Sequence, residues 1–166
     1  MAEVQTNLGR DVLSVSNQSP VLLVFLRHMG CTFCREAMAD LGKRRAAIEA
    51  TGTRIIAVHM SETAYAEKVF ASYPGLAGIE HVSDPTKRLY AAMNLKRGSL
   101  WQLFGLKSFL RGFRAGIVDG HLVGRLVGDG FQMPGVFVIH RGQVLRALRH
   151  ESAADRPDYD AMACPV

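Results

Sequence analysis

Residues 21–36 read VLLVFLRHMGCTFCRE, and this stretch decides the fold. Val21 to Leu26 is an unbroken β-favouring run, the pattern of a strand buried on both faces. Arg27-His28-Met29-Gly30 follows as a loop. From Cys34 onward Ala37, Met38, Leu41 and Ile48 recur at helical spacing, with Arg35, Glu36, Lys43, Arg44, Arg45 and Glu49 mainly on the other face. Gly42 inside that helix carries a propensity cost of about 1 kcal/mol relative to Ala. Thr51-Gly52 ends the helix, and Ile55-Ile56-Ala57-Val58 is a second buried strand. Strand, helix and strand at this spacing form a βαβ unit with parallel strands and a right-handed crossover.

Working outward, residues 1–19 are polar and turn-rich. A second helix is expected over Glu62–Ala71 and a short edge strand over Ile79–Val82. Ser83-Asp84-Pro85 reads as a helix start, a capping oxygen followed by proline, for a helix running to Met93. Val136–Ile139 and Val144–Leu148, joined around Arg141-Gly142-Gln143, form an antiparallel hairpin, and the tail from Glu151 ends in a short helix. The fold class is therefore α/β: a central mixed sheet, βαβ half plus antiparallel ββ half, flanked by helices. One domain is expected over residues 1–166, with its core at about 12–158 and an insert at about 96–130. In the insert Lys96, Arg97, Lys107, Arg111 and Arg114 are interleaved with Trp101, Phe104, Phe109 and Phe113, with no acid before Asp119.

The 166 residues are 48% hydrophobic and 21% charged, a core-building composition rather than a disordered one. Twenty Lys and Arg against fifteen Asp and Glu leave a net charge of +5, too small by itself to argue for nucleic acid. No apolar run approaches the roughly 20 residues of a membrane span, and no secretory signal is read at the N-terminus, so the expected address is the cytoplasm. The three cysteines are Cys31, Cys34 and Cys164. They cannot fill a four-cysteine metal or iron–sulfur site, and an odd number makes a poor disulfide framework.

A cysteine pair spaced CxxC between the first strand and its helix is the thioredoxin arrangement. A thiol at a helix N-terminus feels the partial positive charge of free backbone N–H groups, which lowers its pKa. The spacer puts Cys34 one helical turn from Cys31, so the pair can close and reopen a disulfide. On this reading Cys31, at an exposed turn, is the attacking thiolate, and Cys34 resolves the mixed disulfide or sulfenic acid. Two alternatives stay open: two buried structural thiols, or a zinc site borrowing from His28, His59, His81, His121, His140 and His150. The site as read needs no cofactor and no metal. Arg27 and His28, with Arg35, are expected to raise the local positive potential. Met133-Pro134, at the entry to the Val136 strand, matches the place where thioredoxin folds carry a cis-proline facing the cysteines. A trans proline at a strand entry is the competing reading. Cys164 is expected to be a spare exposed thiol.

Four stretches, VFLRHMGCTFCREAMADL (24–41), RIIAVHMSE (54–62), SDPTKRLYAAMNL (83–95) and GDGFQMPGVFVIHRG (128–142), together resemble the AhpC/TSA-type peroxiredoxin-like proteins with a CxxC, the peroxiredoxin-like 2 group. The resemblance spans roughly residues 12–158. It implies a thioredoxin-like fold, thiol-dependent redox chemistry and Cys31–Cys34 as the redox pair. It also implies a protein or low-molecular-weight thiol as reductant and a disulfide or hydroperoxide as substrate; a homodimer is compatible with it. True peroxiredoxins place Thr or Ser three residues before the reactive cysteine, in a loop opened by proline, and an Arg beside the strand after the active site. Here those places hold His28, no proline, and Met133-Pro134. Such groups orient the peroxide bond and stabilise its leaving oxygen. Their replacement favours thiol–disulfide exchange over peroxide reduction. A third expectation is a redox-regulated interaction protein that docks partners through the basic aromatic insert.

Overall fold

The computed structural model describes residues 4–99, 128–152 and 155–164. Most of the expected insert, including Trp101, Lys107, Arg111 and Arg114, lies outside the described residues. In chain order the elements are α1 (Val12–Gln18), β1 (Val21–Phe25), α2 (Thr32–Ala50), β2 (Arg54–His59), α3 (Thr63–Ala71), β3 (Glu80–Ser83), α4 (Arg88–Ala92), β4 (Gly135–His140), β5 (Gln143–Arg149) and α5 (Tyr159–Ala163). The sheet order is β3-β2-β1-β4-β5. β1 pairs parallel with β2 and antiparallel with β4; β2 pairs parallel with β3, and β4 antiparallel with β5. This is the mixed sheet read from the sequence, with β1 at its centre and β3 at one edge.

β1 is hydrophobic throughout because both its faces are covered. Side chains alternate across a strand, so Leu22 and Val24 pack with Met38, Leu41 and Ile48 of α2 and Phe70 of α3. Val21, Leu23 and Phe25 pack on the opposite face with Val12 and Val15 of α1 and Leu89 and Tyr90 of α4. The Tyr90 hydroxyl, fully buried, donates to the Leu26 carbonyl at 2.5 Å, where β1 ends and the cysteine loop begins.

Two local readings are corrected. The stretch expected to be a turn-rich approach contains α1, capped by the Asp11 carboxylate, which accepts the Ser14 N–H at 2.9 Å. Seven residues make a marginal helix in isolation; burial of Val12 and Val15 holds this one. The helix expected from Pro85 begins at Arg88, because Lys87 takes a left-handed backbone conformation (φ 60°). The Asp84 carboxylate does cap it, one turn later, accepting the N–H groups of Arg88 and Leu89 at 3.0 and 2.8 Å.

Gly42 owes its place in α2 to a close approach. A Cβ there would lie 2.2 Å from the Pro74 carbonyl oxygen, and one on Gly75 would lie 2.3 Å from the Gly42 oxygen. The two backbones touch. Helix propensity alone favours Gly42→Ala by about 1 kcal/mol, whereas the contact turns the sign: the substitution is expected to destabilise by about 1–3 kcal/mol, as overpacking does. Urea midpoints of the two proteins decide it, and a more stable alanine variant refutes the contact argument.

Under the parallel edge, His59 Nε2 lies 2.8 Å from His81 Nδ1, and the Ser61 N–H donates to His59 Nδ1 at 3.2 Å. Both rings are buried. Burial first, then His81, lowers His59 from 6.5 to about 3. The unfolded chain therefore binds more protons than the folded one between these values. Stability is expected to be full above pH ~6.5 and to fall with pH below it, by up to about 1.4 kcal/mol per pH unit for this one group. His59→Gln should flatten the dependence of the urea midpoint between pH ~7 and ~5; an unchanged slope would show that His59 is not held neutral.

Candidate active site

β1 stops at Phe25 and the chain turns inward. Leu26 N–H still donates to Val58 O at 2.8 Å, and the Arg27 N–H donates to Cys34 Sγ at 3.3 Å. Cys31 N–H closes a tight turn on His28 O at 3.1 Å, and Cys31 O accepts the Arg35 N–H at 2.9 Å. Cys31 is thus the N-cap of α2, where the unpaired N–H groups of a long helix converge.

Both thiols are free, and each is only 4% exposed. The expectation of an exposed Cys31 is corrected: residues 26–30 are all buried, so the loop folds back over its own cysteine. From the far end of the chain Met133 packs on Phe33, between the two cysteines in sequence.

A buried thiolate needs a partner. Arg27 supplies it, its guanidinium Nη2 2.7 Å from Cys31 Sγ inside the fold. A hydrogen bond from the Cys34 thiol is the largest influence holding Cys31 well below the ordinary thiol range; burial opposes it, and the Arg27 charge and the Cys34 backbone N–H add to it. The same hydrogen bond, with burial and the Cys31 charge, pushes Cys34 well above that range. One thiol is set up as an anion and the other as its proton-bearing neighbour.

His28 is buried, and burial lowers its pKa, with Cys31 opposing and Arg27 adding to the shift. Its charge is the least of the influences that lower Cys31, behind that of Arg27. Arg35 is occupied elsewhere, its Nε donating to the Tyr73 hydroxyl at 3.1 Å. No peptide bond among the described residues is cis, so Met133–Pro134 is trans. Met133 N–H donates to Lys96 O at 3.1 Å, the geometry of a strand entry. Pro134 lines, with Cys31, Cys34, Phe33, His150 and Arg156, a cavity of about 30 Å³. Cys164 is exposed at the end of α5 and lines a different cavity with Pro20 and Val138. Among the described residues, no group of three or more His, Cys, Asp or Glu side chains is arranged to hold a metal ion.

Sequence reading missed the wall made by His150, Asp155, Arg156, Pro157 and Tyr159. Arg156 bonds Glu36 at 3.2 Å and pairs with Asp40, which ties this segment to α2 beside the cysteines. Only the acid–base composition of the two segments hinted at it.

A CxxC pair capping the helix after a central parallel strand, opposite the proline that opens β4, places the protein among thioredoxin-like folds. The family model described as AhpC/TSA antioxidant enzyme matches residues 40–152, more than half the chain, beginning just beyond the cysteine pair. The chain belongs to the AhpC/TSA family. It is 25% identical to the prostamide/prostaglandin F synthase of Xenopus tropicalis over 167 aligned residues, 93% of this chain and 82% of that protein. It is 29% identical to human peroxiredoxin-like 2A over 133 residues, 78% of this chain and 54% of that one, so it spans about half that relative's length. Among solved structures, a cysteine-to-serine mutant of peroxiredoxin Q from Xanthomonas campestris matches with a TM-score of 0.65 at 15% identity, covering 96% of this chain and 86% of the other. A putative thiol:disulfide interchange protein DsbE from Chlorobium tepidum matches at 0.55 and 21% identity, covering 87% and 77%. At these identities the solved structures show the fold. Among the described residues no helix is long and apolar enough to cross a membrane.

Arg27→Met removes the charge that meets Cys31. Alkylation of Cys31 by iodoacetamide at pH ~7 is expected to slow about tenfold, and its pH profile to move upward. In the unsubstituted protein Cys31 should alkylate faster than Cys34, read by mass spectrometry of the labelled peptides. Equal rates at the two thiols would contradict the division of roles.

Proposed function

We propose that this protein is a thiol oxidoreductase that reduces a small hydroperoxide at Cys31 and recovers through a Cys31–Cys34 disulfide, within one thioredoxin-like domain. The observation that carries the reading is the Arg27-paired Cys31 buried beside the Cys34 thiol in a cavity of about 30 Å³. A cavity of that size admits a molecule the size of water or hydrogen peroxide. A protein disulfide has no such access to a sulfur only 4% exposed. Burial thus reverses the preference for disulfide exchange that the missing Thr, Pro and Arg suggested. Membership of the AhpC/TSA antioxidant family supports the same direction.

The Cys31 thiolate attacks the terminal oxygen of ROOH; an S–O bond forms, the O–O bond breaks, and ROH leaves after protonation. Sulfur is oxidised by two electrons to the sulfenic acid. The Cys34 thiol attacks that sulfur, its proton leaves with the hydroxyl as water, and the disulfide closes. An external low-molecular-weight thiol returns both cysteines to the reduced state. Arg27 holds the attacking sulfur as an anion, and the Cys34–Cys31 hydrogen bond sets the resolving sulfur along the line of attack.

Oxidation of the reduced protein by equimolar hydrogen peroxide, followed by peptide mapping, tests this. A Cys31–Cys34 disulfide is expected in the unsubstituted protein, a sulfenic acid at Cys31 in Cys34→Ser, and no oxidation of the pair in Cys31→Ser. Stopped-flow oxidation no faster than that of free cysteine would sink the peroxide reading and leave disulfide exchange, which insulin reduction would then report.

A further inference from the structure

Of the groups in the cavity wall that the thiol chemistry above does not use, His150 is the one whose ring nitrogens are buried without partners. His150 follows β5 directly, its backbone N–H donates to Pro134 O at 3.3 Å, and it lines the same cavity as Cys31 and Cys34. Behind it, the Asp155 carboxylate accepts the N–H groups of Glu151 and Ser152 at 2.7 and 2.8 Å and the Ser152 hydroxyl at 2.9 Å. The backbone that presents the ring is therefore pinned on both sides. Yet Nδ1 and Nε2 are both buried and neither has a partner in the protein. A buried polar atom left so is destabilising, and here two of them belong to one ring in the wall of the Cys31 cavity.

Burial lowers His150 to about 4, with Asp155 opposing. At neutral pH the ring is uncharged and carries one N–H and one lone pair. It can give a hydrogen bond at one nitrogen and take a proton at the other. His28 also has a buried nitrogen without a partner, but His28 does not line the cavity.

We propose that His150 is a catalytic residue whose imidazole N–H meets the leaving oxygen of a hydroperoxide held between it and Cys31. The proposal rests on the peroxide reading above. As the Cys31 sulfur bonds to the terminal oxygen and the O–O bond breaks, negative charge collects on the departing RO oxygen. The His150 N–H stabilises that charge and its proton completes ROH; the second ring nitrogen takes a replacement proton from water. Two electrons pass from sulfur to the peroxide, and the net proton comes from solvent. His150 thus supplies the leaving-oxygen donor that Met133-Pro134 and His28 cannot.

The test compares two reactions of the same sulfur. Oxidation by hydrogen peroxide needs a donor for the leaving oxygen, whereas alkylation by iodoacetamide expels iodide and needs none. His150→Leu should slow peroxide oxidation of Cys31 about 100-fold and leave alkylation within about twofold. His150→Gln, which keeps a donor and an acceptor, should recover most of the peroxide rate. If both reactions slow together in His150→Leu, the residue acts through the fold or through the thiolate, and the assignment fails. If the peroxide rate is unchanged in His150→Leu while the unsubstituted protein reacts quickly, the assignment fails and the peroxide reading stands. An unsubstituted protein no faster than free cysteine overturns both.

Discussion

The pairing of Arg27 with the Cys31 sulfur is the constraint on which the site depends. A thiolate with 4% exposure cannot be kept by water; it must be kept by charge and hydrogen bonds inside the fold. That requirement dictates much around it. Arg27 must itself be buried, so the chain between β1 and α2 folds inward instead of looping out. Its backbone N–H, left without a strand partner, is satisfied by Cys34 Sγ. The guanidinium binds one sulfur while the amide of the same residue binds the other. One residue at the end of the central strand therefore organises both thiols.

The sheet makes this placement reproducible. β1 is flanked by β2 and β4, so its C-terminal end is fixed laterally by two neighbours and above and below by two helical layers. Tyr90, far along the chain on α4, reaches the Leu26 and Val58 carbonyls and clamps the last residues before the loop. β4 runs antiparallel to β1, which brings its first residues, Pro134 and Gly135, to the end of β1 where the cysteines are. The hairpin then returns β5 to the same end, and His150 arrives there. The site is a consequence of strand direction: two antiparallel pairs bring a remote proline and histidine to the wall of the Cys31 cavity.

That geometry explains what could and could not be read from the sequence. β1, α2 and β2 were legible because a doubly buried strand is a continuous apolar run and an amphipathic helix repeats every three to four residues. The hairpin was legible for the same reason. α1 was not: its apolar contribution is chiefly two buried valines, Val12 and Val15, and its stability lies in the sheet face they meet. The start of α4 was displaced because the Asp84 carboxylate reaches forward to Arg88 and Leu89, a choice between two local turns that composition does not settle. Cys31 was expected in the open because CxxC at a helix start says nothing about Met133, which packs on Phe33, or about His150, Asp155 and Arg156, which line the Cys31 cavity from more than a hundred positions away along the chain. His150 left no local mark at all. Its role comes from contacts of long sequence separation, which strand propensity and spacing do not encode.

Burial also changes what the cysteine spacing means. In an open CxxC the two thiols differ mainly by position, and selectivity is set by what can dock over the exposed sulfur. Here both sulfurs are equally enclosed, and they differ by charge. The hydrogen bond from Cys34 to Cys31 lowers one thiol and raises the other through a single shared proton, so the pair cannot become two anions without losing the interaction that defines it. Arg27, whose guanidinium meets Cys31, fixes which of the two is ionised. On the peroxide reading, selectivity passes to the cavity of about 30 Å³ that Cys31 lines. Five of the chain's bases, Lys96, Arg97, Lys107, Arg111 and Arg114, lie in the basic, aromatic-rich stretch, whereas the charge that meets the Cys31 sulfur is that of Arg27, outside it.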